Sequence, residues 1–188
     1  LSIGQVFVDG ELSMQKGYLS ELASNHKSWF VDMSTGTIYI HFPDNNPSNH
    51  VLEISTRRRI FAPHLRSLGY IVVEGFIMEH SGNQYPTNFW EAEHPEWQQA
   101  GAIGTRSGHH WKIKNNIIRF AHGVGIDFGN EGNKEVDLEK GDNGKAEGAG
   151  YHIIDSNYIT DNGSGGTAAF YPRNITFTNN VVERNNNL

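Results

Sequence analysis

His110 to Gly129 reads HWKIKNNIIRFAHGVGIDFG, and its pattern returns on both sides of it. Tyr70 to Ser81 is YIVVEGFIMEHS, His152 to Gly163 is HIIDSNYITDNG, and Ile175 to Asn186 is ITFTNNVVERNN. Four columns align: Tyr70, Trp111, His152 and Ile175; Val72, Ile113, Ile154 and Phe177; a turn column of Gly75, Asn116, Asn157 and Asn180; and Ile77, Ile118, Ile159 and Val182. Alternation by twos on either side of a bend predicts two short strands meeting at a corner in every unit. Gly or Asn at the bend suits left-handed backbone, which those residues adopt at least cost. Asparagines stacked in file would also bond their amides along the column.

Trp111 to His152 spans 41 residues, as does Tyr70 to Trp111, and His152 to Ile175 spans 23. A repeat of 23 matches one coil of a parallel β-solenoid, so the longer intervals predict a coil plus an insertion. The segments 102–104, 125–128 and 167–170 supply a further strand shortly before each following unit. The expected architecture is therefore all-β: an incomplete parallel β-helix of about four coils over residues 63–188, with insertions at 83–100 and 130–149.

Residues 1–62 lack the coil pattern. Gln5 to Leu12 alternates around Asp9-Gly10, a hairpin signal. Trp29–Asp32 and Gly36–Phe42 predict a strand pair across Met33-Ser34-Thr35, and Val51–Ser55 another strand. Together they predict a partial, sandwich-like antiparallel module. Arg57-Arg58-Arg59 reads as a solvated strand end or a junction with the coils.

The 188 residues carry a formal charge of −6 and no cysteine. A net-negative surface argues against nucleic acid or an anionic membrane as partner. Disulfides and thiolate metal sites are excluded, and no apolar run approaches the ~20 residues of a spanning helix. Both ends read as cut, because solenoids normally cover their open ends with a cap. The implied partner is then the rest of the same polypeptide, or another chain, completing the coils.

The segments Glu53 to Phe61, Tyr70 to His80, and Trp111 through Asn116-Ile117-Ile118 resemble the right-handed parallel β-helix glycosidases, nearest to glycoside hydrolase family 120, the β-helical β-xylosidases. The resemblance runs from about Trp29 onward and implies a right-handed coil, an oligo- or polysaccharide ligand and a secreted or periplasmic location. In that family the catalytic acid pair lies on coils after the last one present here, so neither member carries over.

The residues themselves suggest where sugar chemistry would sit. In Val124-Gly125-Ile126-Asp127-Phe128 the apolar residues alternate inward, which turns Asp127 outward, with Gly104 and Ala169 as its expected neighbours in the stack. Glu131 would share that groove, and two carboxylates flanking a bond are the minimum for glycoside hydrolysis. One of them would need a raised pKa to serve as the acid. In the first insertion, Trp90, Glu91 and Trp97 combine aromatic faces with a carboxylate, as a sugar site requires. His80 and His122 fall at related places just after strands, on one expected edge. His109 and His110 are expected on opposite faces of a strand, unable to act together.

No phosphate loop, Ser-His-Asp order or zinc motif occurs, and no cofactor is implied. The acidic insertion at 130–149 offers a hard cation such as calcium carboxylate ligands, without EF-hand spacing. The function expected is a glycoside hydrolase on neutral plant or microbial glycan, or a fragment of one. The alternatives are a polysaccharide lyase on uronate polymers, disfavoured by the acidic groove, and a non-catalytic glycan-binding solenoid.

Overall fold

The computed structural model describes residues 3–83, 101–130, 149–170 and 172–186. Two compact units divide at Thr56/Arg57. In the first, β1 (Val6–Val8) lies between β2 (Glu11–Leu12) and β6 (Leu52–Ile54), antiparallel to both. The expected hairpin turns on Asp9 and Gly10, at φ 55° and 75°. β3 (Met14–Gln15), β4 (Ser28–Asp32) and β5 (Thr37–His41) form a second sheet, β4 and β5 antiparallel with Asp32 opposite Thr37 but β3 and β4 parallel, so the module expected to be antiparallel is mixed. Val6, Phe7, Val8, Leu22 and Trp29 are the buried apolar residues of this unit.

The second unit consists of stacked parallel coils. One sheet runs β7 (Val72–Glu74), β10 (Lys112–Lys114), β13 (Ile153–Asp155) and β16 (Thr176–Thr178). A second runs β8 (Ile77–Glu79), β11 (Ile117–Arg119), β14 (Tyr158–Thr160) and β17 (Val181–Glu183). The third holds β9 (Gly101–Gly104), β12 (Val124–Asp127) and β15 (Gly165–Ala168), with Phe61 bridging Ile103 at its outer side. All these pairings are parallel. Ile113, Ile154, Ile118, Ile159, Ile103 and Ile126 are completely buried between the sheets. Their strands are only three or four residues long, so stability must come from identical residues meeting rung upon rung.

The first coil stands one residue out of the expected register. Val73 pairs with Ile113, and Met78 with Ile118; both are buried, whereas Val72 and Ile77 are exposed. The inward interval is thus 40 residues from Val73 to Ile113, then 41 to Ile154 and 23 to Phe177. The cause is that the bend splits two jobs between neighbouring residues. Left-handed backbone falls on Gly75, Asn115, Ser156 and Asn179, at φ 79°, 53°, 56° and 54°. The amide column one place later is Asn116, Asn157 and Asn180, with the exposed Phe76 at that place in the first coil. Gly75 was aligned with the wrong one of these two files, because glycine marks the backbone job and asparagine the amide job.

The amide ladder itself is present. Asn157 Oδ1 accepts from Asn116 N and Nδ2 at 3.1 and 3.0 Å, and Asn180 Oδ1 accepts from Asn157 N and Nδ2, both at 2.9 Å. Asn116 and Asn157 also donate to the carbonyls of Val73 and Ile113. A second ladder, unforeseen, joins Asn162 to Asn185, whose Oδ1 accepts from Asn162 N at 3.0 Å and Nδ2 at 2.9 Å. Buried amides are tolerated because every donor finds a partner within the file.

The histidine expectation at 109 and 110 is also corrected. The two lie on a corner, not a strand. Left-handed backbone at His110 (φ 55°) swings the rings together, leaving their Nδ1 atoms 2.9 Å apart.

Candidate functional site

The third sheet differs from the other two in being built of small residues: Gly101, Ala102 and Gly104 on β9, Gly125 on β12, and Gly165, Gly166 and Ala168 on β15. Several are obligatory. A Cβ on Gly101 would fall on the Asp127 amide nitrogen, and one on Gly129 would fall on the Phe170 backbone. This close approach draws β12 tightly between its neighbours and fixes where its polar residue stands.

That residue is Asp127, paired with Gly104 on one side and Ala168 on the other. Gly104 was foreseen, but Ala168 replaces Ala169. The inward side of the strand is occupied by Val124 and Ile126, as the alternation required. Asp127 is nevertheless only 7% exposed, the one buried carboxylate among the described residues. Its Oδ1 accepts from the Gly129 amide at 3.2 Å. Its neighbours along the file thus carry only a hydrogen and a methyl group.

The turn that delivers the chain into β12 is pinned by Asn83, a residue that sequence reasoning passed over. Its Nδ2 donates to Val124 O at 2.7 Å and its Oδ1 accepts from Gly123 N at 2.5 Å. The Asn83 carbonyl lies 3.1 Å from His122 Nδ1. A carbonyl can only accept, so Nδ1 carries the proton there. His122 is buried, five residues before Asp127. Asn83 carries no motif, and only the return of the chain forty residues later gives it a partner.

His80 and His122 are not equivalents. His80 occupies the left-handed corner position shared with Phe120, at φ 64° and 54°, its ring centroid 5.8 Å from that of Phe120. His122 stands two places further along the next coil, its amide donating to Ser81 O at 2.8 Å. The structure therefore places His122 and Asp127 at the two ends of one short segment and sets His80 on the corner before it. Trp90, Glu91, Trp97 and Glu131 lie outside the described residues, as does the 131–148 stretch expected to offer calcium ligands. Arg106, unremarked in the sequence, is buried, and its Nη1 donates to the carbonyls of His64 at 2.6 Å and Pro63 at 3.3 Å. Among the described residues there is no cluster of three or more His, Cys, Asp or Glu suited to a metal, and no helix long and apolar enough to cross a membrane.

A family model described as "Right handed beta helix region" matches residues 100–188. The coils are those of a right-handed parallel β-helix. No curated protein matches the chain. Among solved structures, that of XylC in complex with xylose is similar, with a TM-score of 0.77 and 24% identity over 98% of this chain. The chain spans 35% of the length of XylC. At that identity the likeness shows the fold alone.

Proposed function

We propose that this chain is a β-xylosidase-like glycoside hydrolase of the family 120 kind, or a portion of one, acting on neutral plant or microbial glycan through paired carboxylates. The observation that carries the reading is the likeness, over nearly the whole chain, to a β-helix protein solved with xylose. Asp127 supports it as a buried carboxylate between two residues without bulk, and it is the candidate for one member of the pair, with Glu131 as the other. A separation of about 5 Å between them would imply retention of configuration, and roughly 6.5–9.5 Å inversion. His122, at the same segment, and His80, Trp90, Glu91 and Trp97 are the candidate sugar contacts. A polysaccharide hydrolase of this kind would work outside the cytoplasm, secreted or periplasmic.

The test is hydrolysis of aryl β-xylosides by the product of the full reading frame, with uronate polymers assayed in parallel for unsaturated product. Xyloside hydrolysis that falls by about 10²-fold or more in Asp127→Asn assigns the acid–base role to this strand. Hydrolysis that survives the substitution moves the pair to other coils. Elimination on uronates would replace the reading by a lyase, and glycan binding without turnover by a binding solenoid.

A further inference from the structure

One corner of the coils carries a file of rings that the glycosidase reading leaves unused. Tyr70, His110 and Tyr151 occupy equivalent left-handed positions, at φ 62°, 55° and 57°, and stack outward. The His110 ring lies 4.9 Å from each tyrosine, at interplanar angles of 19° and 7°. His109 stands edge-on to Tyr70, with centroids 5.3 Å apart. Its ring covers Gly69, where any Cβ would collide with it. Two imidazoles are thus held in place by packing, and their Nδ1 atoms are 2.9 Å apart. His110 is exposed and His109 partly so, which leaves the pair open to solvent.

We propose that His109 and His110 form a bidentate chelate for a divalent transition-metal ion that prefers tetragonal nitrogen coordination, cupric or nickel in type. With metal–nitrogen bonds of about 2.0–2.1 Å, a 2.9 Å bite subtends about 90° at the metal. That is the cis angle of square-planar or octahedral coordination; a tetrahedral zinc site would want nitrogens about 3.3 Å apart. In the metal-free pair one Nδ1–H donates to the other Nδ1. On binding, that proton moves to Nε2 of its own ring, so both Nδ1 lone pairs face the ion and no net proton is released at neutral pH. Water completes the coordination, so the site is exchangeable.

The experiment is calorimetric titration of the chelator-washed chain with CuCl2, NiCl2 and ZnCl2, accompanied by electron paramagnetic resonance of the copper complex. One equivalent of copper should bind with two nitrogen donors resolved, and nickel should bind more tightly than zinc. Nickel over zinc is required by the 2.9 Å bite, and the reverse order would mean a wider, tetrahedral pair. His110→Phe keeps an aromatic ring between the two tyrosines and should weaken copper binding about 100-fold, with one nitrogen lost from the spectrum. His109→Asn should do the same. Copper affinity and spectrum unchanged in both variants, zinc binding tighter than nickel, or the lack of a one-equivalent site would each overturn the proposal. Glycosidase activity enters none of these readouts, so the two readings stand or fall separately.

Discussion

The sheet unit of residues 1–56 and the coiled unit of residues 57–188 are both made of very short strands, yet each is held together by a different kind of interaction. In the first, connections are singular and charged. His50 bridges Asp9 at 2.6 Å and Asp44 at 2.9 Å, Asp9 also accepts from the Val51 amide at 2.9 Å, and Lys27 pairs with Glu11. In the second, the interior connections are neutral and repeated, isoleucine on isoleucine and asparagine on asparagine, while ion pairs such as Glu79–Arg119 and Asp161–Arg184 lie at its surface. A defect in the first unit removes one tie, whereas a defect in a coil is felt by the rungs on both sides.

Titration follows the same division. His50 has its pKa raised, chiefly by its bond to Asp9 and then by Asp44. Asp44 is lowered to about 2, chiefly by the Asn49 side chain, then by the Asn46 amide and His50. The His50 contribution is complete below its unfolded pKa of 6.5 and is lost as pH rises through the raised folded value; that of Asp44 is complete above 3.8 and fades as pH falls toward 2. In the coils, His152 is fully buried. Its Nδ1 accepts from Trp111 N at 3.2 Å and its Nε2 has no hydrogen bond of normal geometry, so the Phe128 backbone compensates only in part. Burial, then the charges of His109 and His110, lowers its pKa to about 4. Its contribution is present above 6.5 and is lost as pH falls from there to about 4.

The largest effect should come from breaking the ladder. Asn157→Ala strips the acceptor from two donors of Asn116 and one donor from Ile113 O, and should cost about 2–6 kcal/mol by denaturant unfolding. A cost under about 1 kcal/mol would remove the ladder from the account of coil stability. Ile154→Ala, between Ile113 and Phe177, should cost about 2–5 kcal/mol, while Val182→Ala on the half-exposed last rung should cost less than about 1. Equal losses at both positions would show that stacking depth does not matter.

Acidification from pH 7 to 4.5, with chelator present, should withdraw most of about 3 kcal/mol from the coiled unit, and His152→Gln should flatten that dependence. Hydrogen exchange read separately over β10 and β13 and over β1 and β6 checks the assignment, since at mild acid only the coils should loosen. The smallest effect belongs to His50→Ala. It should raise exchange in β1 and β6 at pH 6 and low salt, and the difference should shrink in 1 M salt, where exposed charges are screened. A salt-independent difference would point to packing against Phe42, whose ring stacks on His50 at 5.4 Å, as its cause.

Much of the architecture was legible because the repeat carries it. Isoleucine and asparagine columns must meet their equivalents if the chain is to bury them, and the hairpin at Asp9-Gly10 is as local as a turn can be. The slip in the first coil has an equally physical origin: Val72 and Val73 are both apolar, so composition does not say which one faces inward, and Gly75 serves the corner without serving the ladder. The site was less legible. Alternation placed Asp127 on the face away from Ile126, but alternation carries no information about what covers that face, and Asn83 acquires its role only from a strand that arrives forty residues later.

By itself the amino-acid order determined that the chain winds in parallel coils with asparagines in file, because recurring inward residues have no other way to be buried and satisfied together. Only the tertiary structure decided which residue of each corner turns left-handed, that Asp127 is buried, and that His109 and His110 meet. Those outcomes depend on backbone angles at single positions and on contacts between rungs, which no local pattern of residues specifies.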